Sequence, residues 1–132
     1  MRQRERDTVK RGDSDYEAAL EAVVEILKDR ARSGCRPLTY GDLSALLIAD
    51  HHAVPAYQGP LPFLLEDASV QESPDGRKPL ISALVVLQDE LRPSAGFYKL
   101  ARRPPYGATR KGDNEAIWLK ELEALRRDYT TS

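Results

Sequence analysis

Tyr16, Leu20, Val23, Val24, Leu27 and Ala31 recur at three- and four-residue spacing, the period of one apolar helical face. The pattern predicts a helix over residues 15–32, opened by a capping box of Ser14 with Glu17 and stopped at Ser33-Gly34. A second helix begins after Thr39, with Asp42 in the third position as a short stand-in for Glu. Leu38 and Leu43 sit where a hydrophobic staple fixes the angle of entry. This helix runs to residue 48 or 49 and buries Leu43, Leu46 and Leu47; Asp50 to Gln58 reads as loop, since Pro55 blocks continuation. A third helix starts near Pro62, turns Leu61, Leu64, Leu65 and Ala68 inward, and ends at the turn Ser73-Pro74-Asp75-Gly76.

Leu80 to Leu87 is a short, nearly continuous apolar run with β-branched Val85 and Val86, the signature of a strand covered on both sides. Gln88 to Gly96 reads as a hairpin loop and Phe97 to Leu100 as the returning strand. Residues 104–112 read as a linker, with Gly107 to Gly112 a flexible basic connection. Asp113 caps a last helix over about 113–129, whose stripe is Trp118, Leu122, Leu125 and Tyr129, widened by Ile117, and which packs on the first helix. The order helix, turn, helix, strand, strand predicts an α+β winged helix-turn-helix with a β-hairpin wing and extra N- and C-terminal helices. Residues 1–13 are charged and without apolar period, a flexible tail, and 14–132 form one winged-helix domain with its core over 37–100.

Two stretches resemble a known family. Thr39-Tyr40-Gly41-Asp42-Leu43 is similar to the Thr-Tyr-Gly-Glu-Leu-Ala helix start in the DNA-binding domain of the O6-alkylguanine-DNA alkyltransferases. Val85-Val86 followed by Asp89-Glu90-Leu91 and Gly96-Phe97 resembles the segment after that family's active-site strand. The resemblance covers about half the chain and implies a DNA-associated winged helix with Tyr40 near the phosphate backbone. It also implies an alkyltransferase-like chain without the repair chemistry. Alignment on Val85-Val86 puts Ser82 at the acceptor cysteine, Ala83 at the histidine and Leu84 at the arginine, and Ala56-Tyr57-Gln58-Gly59 offers no arginine finger. Small bacterial domains of the same type, which carry a Ser-Ala-Leu-Val-Val strand and no alkyl-accepting cysteine, are similar as well. They imply a setting in genome maintenance, defence or regulation.

Charge sharpens the picture. The net charge of −1 hides blocks: residues 37–76 hold no Lys or Arg and six Asp or Glu, whereas residues 77–111 hold eight Lys or Arg and two Asp or Glu. The acidic block covers the expected helix-turn-helix and the basic block the expected wing. No run approaches the roughly 18 apolar residues of a membrane span, the first residues carry no apolar signal stretch, and the lone Cys35 excludes an internal disulfide. A reducing cytoplasm is the expected location.

Candidate chemistry is sparse. Cys35 lies beside Arg36 without a local nucleophile signature and reads as an ordinary thiol. Asp50-His51-His52 offers metal-ligand types, but adjacent residues point apart and no second cluster completes a tetrahedral site. Neither a metal nor another cofactor is expected, and the chain reads as no enzyme. Trp118 and Tyr129 have the spacing of core residues more than of a stacking surface.

The expected nucleic-acid contacts are Tyr40, Arg77, Lys78, Arg92, Lys99, Arg102, Arg103, Arg110 and Lys111. They suit a module that lies along the phosphates of double-stranded DNA with little sequence specificity. The third helix carries Glu66, Asp67 and Glu72 where a major-groove reader brings Arg, Lys, Asn or Gln. The alternative is therefore a protein-interaction adaptor or self-associating subunit that docks a basic partner through those three carboxylates.

Overall fold

A computed structural model describes residues 14–50 and 61–130. The tail over 1–13, the loop with Pro55, the His51-His52 pair and the stretch Ala56 to Gly59 lie outside the described residues. The elements in chain order are α1 (Ser14–Arg32), β1 (Leu38–Thr39), α2 (Tyr40–Ala49), α3 (Leu61–Glu72), a 3₁₀ turn (Ile81–Leu84), β2 (Val85–Val86), α4 (Ala95–Arg102), a second 3₁₀ turn (Tyr106–Ala108) and α5 (Asn114–Thr130).

The helices whose signals are local fall where the pattern puts them. All six residues of the α1 stripe are buried. Past its end, Gly34 takes φ +111° and the Cys35 amide donates to Arg30 O at 3.0 Å, which satisfies a last-turn carbonyl. At the start of α2, Thr39 Oγ1 accepts from the Asp42 amide at 3.0 Å while Asp42 Oδ2 accepts from the Thr39 amide at 3.3 Å. Leu38 and Leu43 are both buried beside this box. Leu46 departs from expectation: it is 46% exposed, and Tyr40 and Ser44 are buried in α2 instead. Asp113 caps α5 by accepting the Ala116 amide at 2.9 Å. α1 packs against both α3 and α5, and one core cluster draws on residues from every helix.

The expected α+β architecture with a hairpin wing is not what forms. The chain is mostly helical, and the described residues hold one sheet of two short strands, which pair in parallel as Leu38 with Val85 and Thr39 with Val86. A hairpin requires antiparallel neighbours, so β2 is no wing strand. The returning strand expected at Phe97–Leu100 is part of α4, which buries Phe97, Leu100 and Ala101 at helical spacing and points Lys99 and Arg102 outward.

The reason lies in how the buried run 80–86 satisfies its backbone. Its polar groups must all find partners, and before Val85 and Val86 pair with β1 they find side chains and the backbone of their own turn. The Leu80 amide donates to Glu121 Oε1 at 2.7 Å, the Ser82 amide to Ser69 Oγ at 3.0 Å, and Trp118 Nε1 donates to Ala83 O at 2.9 Å. Between these anchors the chain curls into the 3₁₀ turn. The run is covered on all sides, as its composition implies, but only two of its residues are strand.

Candidate nucleic-acid interface

The basic stretch over 77–111 divides into one buried cation and a set of exposed ones. Arg110, expected on the surface, is the buried one: its side chain is 7% exposed, and Nε lies 3.0 Å from Glu121 Oε2. Its Nη1 donates to Gly76 O at 3.1 Å and to Tyr106 O at 3.2 Å, and its Nη2 donates to Lys78 O at 2.9 Å. The guanidinium also lies 5.8 Å from the centroid of the buried Tyr106 ring. One side chain therefore fastens the turn after α3 onto the segment after α4 and ties both to α5. Residues 104–112 are accordingly packed structure and not a flexible linker.

Two further contacts fix this arrangement. At Gly107 a Cβ would meet Arg102 O at 2.3 Å, so only glycine lets the connection fold back against the end of α4. Ser73 Oγ accepts the Lys78 amide at 3.0 Å and donates to Lys78 O at 2.7 Å, which holds the turn in shape.

The other expected cations in this stretch lie at the surface. Arg77, Lys78, Arg92, Lys99, Arg102, Arg103 and Lys111 are all exposed. Arg77 meets Asp75 at 3.6 Å with both side chains largely in solvent, and Arg103 meets Glu66 at 3.0 Å. Arg102 Nη2 donates weakly to Gly112 O at 3.4 Å, which keeps the end of α4 beside Lys111. The clamp thus brings Arg77 and Lys78 next to the segments that carry Arg102, Arg103 and Lys111. Arg92 stands apart with Tyr98, where Glu90 and Glu115 dilute the positive charge.

The acidic face of α3 is occupied from within. Glu66 pairs with Arg103, Asp67 accepts the Tyr16 hydroxyl, and Glu72 pairs with Lys28 at 3.2 Å. All three carboxylates look inward to α1 or sideways to α4, which is how an acidic helix packs in this fold.

Tyr40 does not reach the surface. It is 5% exposed, and its hydroxyl donates to Ser94 Oγ at 2.9 Å. Burial pushes its pKa up, with the Ser94 hydrogen bond opposing. Tyr40, Ser82 and Ser94 line a largely apolar pocket of about 220 Å³ between α3 and α4. Ser82 Oγ there shares a hydrogen with Ser69 Oγ at 2.7 Å, and a second serine is too weak a base to activate a hydroxyl. Cys35 is buried, its thiol 3.5 Å from Ala31 O and pushed up in pKa by burial, with Arg126 opposing. Among the described residues no three His, Cys, Asp or Glu side chains gather as for a metal ion. None of their helices is long and apolar enough to cross a membrane.

Glu121 is the residue that sequence reasoning misses. It is 6% exposed on the inner face of α5, with one oxygen on the Leu80 amide and the other on Arg110. Its only signal is an acid interrupting the line from Trp118 to Leu125. Compared with protein-family models, with curated proteins and with solved structures, the chain matches none.

Proposed function

We propose that this chain is a non-enzymatic module that associates with double-stranded DNA through phosphate contacts, with little sequence preference. The observation that carries this reading is the Arg110 clamp, which joins Arg77 and Lys78 to the segment after α4 that bears Arg103 and Lys111, with Arg102 held beside it at the end of α4. A buried arginine spent on holding two basic segments together is difficult to explain by stability alone, because a buried ion pair is often no better than apolar packing. The contacts belong to α4, the turn after α3 and the connection after α4, and no wing takes part. The acidic α3 is no base reader, since Glu and Asp repel phosphates and this face is already engaged.

The test is a fluorescence-anisotropy titration of a labelled duplex at several salt concentrations. With about three to five phosphates neutralised, log affinity should fall against log salt with a slope of roughly −3 to −5. Reversing Lys99 and Arg102 together to Glu should abolish binding, and scrambling the duplex sequence should change it little. Absence of binding at low salt would sink the reading. The adaptor alternative has no comparable support, because each of its three carboxylates has a partner inside the molecule.

A further inference from the structure

At the far side of the turn that Arg110 pins, the ends of α1, α3 and α5 surround a cleft of about 580 Å³. Lys78 belongs to both the cleft and the proposed phosphate surface, so the two are continuous. Lys28 and Arg32 come from α1 and Arg127 from α5, and Tyr129 forms part of the wall. The cleft holds two carboxylates, each with its own cation: Glu72 with Lys28 at 3.2 Å, and Asp128 with Arg127 at 3.8 Å. Among the lining residues that leaves Lys78 and Arg32 without a carboxylate of the cleft, Arg32 pairing instead with Asp29 outside it. The Arg32 contact to Asp29 is an i,i+3 pair at 3.0 Å with both side chains more than half exposed, weak enough to be exchanged for a better anion.

We infer that this cleft receives the phosphorylated end of a nucleic-acid strand, and so deepens the DNA reading on which it rests. At about 580 Å³ the cleft lies in the range of small-ligand sites. A terminal phosphate carries nearly two charges at neutral pH, which matches the cations Lys78 and Arg32, and Arg32 presents the planar fork that binds phosphate oxygens in pairs. Half-buried Tyr129 supplies an aromatic face for the adjoining base. Its phenolic hydroxyl is a hydrogen-bond donor at neutral pH, and burial first, then Glu72, moves its pKa further up. Helix ends place carbonyl partial charge near the cleft, which opposes an anion. In α1 the carbonyls of Asp29, Arg30 and Ala31 already accept from the amides of Ser33, Gly34 and Cys35.

The experiment compares a labelled single-stranded tetranucleotide with a 5′-phosphate against the same oligonucleotide with a 5′-hydroxyl, at low salt. The phosphorylated form should bind at least about tenfold tighter, the worth of one charge-assisted contact. Arg32→Glu, an exposed change that circular dichroism should show to be folded, should erase that preference and leave blunt-duplex binding intact. Lys99→Glu with Arg102→Glu should do the reverse. Equal affinity for the two oligonucleotides overturns the proposal, as does a preference that survives Arg32→Glu. A nucleoside 5′-monophosphate that binds as tightly as the tetranucleotide also overturns the strand-end assignment. Loss of duplex binding alone bears on the proposed function and not on the cleft.

Discussion

α3 and α4 are neighbouring helices of opposite charge, linked by the ion pair of Glu66 with Arg103 just past the end of α4, yet they use their charge in opposite ways. On α3 every expected binding carboxylate has a partner within the fold: a lysine on α1, a tyrosine on α1 and the arginine that follows α4. On α4 the apolar side is buried through Phe97, Leu100 and Ala101, and Lys99 and Arg102 stand in solvent. A run of like charge in a sequence therefore does not tell whether the charge is available. Burial and partners decide: of these two helices, α3 has its carboxylates engaged within the fold and α4 keeps its cations in solvent.

The largest effect should come from the one basic residue that behaves like an α3 carboxylate. Arg110→Ala leaves Glu121 buried without its counter-charge and should cost about 3–5 kcal/mol in a urea titration. It should also loosen the turn at Gly76 and Lys78. The double change Arg110→Met with Glu121→Gln should recover more than half of that loss. Glutamine keeps an acceptor for the Leu80 amide while removing the buried charge. Duplex affinity should remain low in the double variant even as stability returns, because the clamp is still absent. Stability and affinity restored together would deny the clamp any role in binding.

Gly107→Ala comes next. The new methyl would lie 2.3 Å from Arg102 O, so the connection must move away from α4, at about 1–3 kcal/mol by analogy with overpacking. The same substitution at Gly96, on the exposed start of α4 with only Ser94 Oγ at 3.7 Å, should be neutral or slightly stabilising, since alanine is the better helix former. A Gly107→Ala variant as stable as the parent would show that the connection packs differently.

These two sites also show why the fold was only partly legible. Thr39 with Asp42, Asp113 and the α1 stripe signal themselves within one or two turns, because caps and amphipathic faces are local devices. The run 80–87 is apolar throughout, and such a run fits a buried strand and a curled buried segment equally well. What decided between them was Glu121, Ser69 and Trp118, side chains up to 41 residues away. Phe97, Leu100 and Ala101 form one helical face, but a stretch of four residues after an apolar run fits a returning strand as well. The cations were legible as a group. Arg110's departure from the group was not, since its partners lie at 76, 78, 106 and 121.

A smaller effect separates the two helices directly. Asp67→Ala removes the acceptor of the Tyr16 hydroxyl and should cost about 1–2 kcal/mol with no change in duplex affinity. Glu66→Gln should change stability by less than about 0.5 kcal/mol, because its pair with Arg103 is half exposed. That variant should bind duplex more tightly, about two- to fivefold at low salt, since it frees one cation and removes one carboxylate. Unchanged affinity in Glu66→Gln would mean that Arg103 lies outside the phosphate footprint.

The smallest expected effect concerns pH and the tyrosine that was expected at the surface. Burial holds the Tyr40 hydroxyl above its ordinary pKa, and burial together with Glu72 does the same for Tyr129. Unfolded tyrosines release their proton near pH 10, while these folded ones retain it. The native state then binds more protons than the unfolded state, and stability falls as pH rises. The contribution should be intact below about pH 10 and disappear as pH climbs through the raised folded values. The Cys35 thiol, also raised by burial, adds a loss of the same sign beginning at its own lower ordinary value. Urea midpoints measured from pH 8 to 11 should therefore stay level and then drop, and Tyr40→Phe should make the drop shallower. The comparison of parent and variant matters more than either curve, because every other group is common to both. A Tyr40→Phe curve parallel to the parent would mean that this hydroxyl is solvated in solution, and with that the surface role first expected of Tyr40 would be open again.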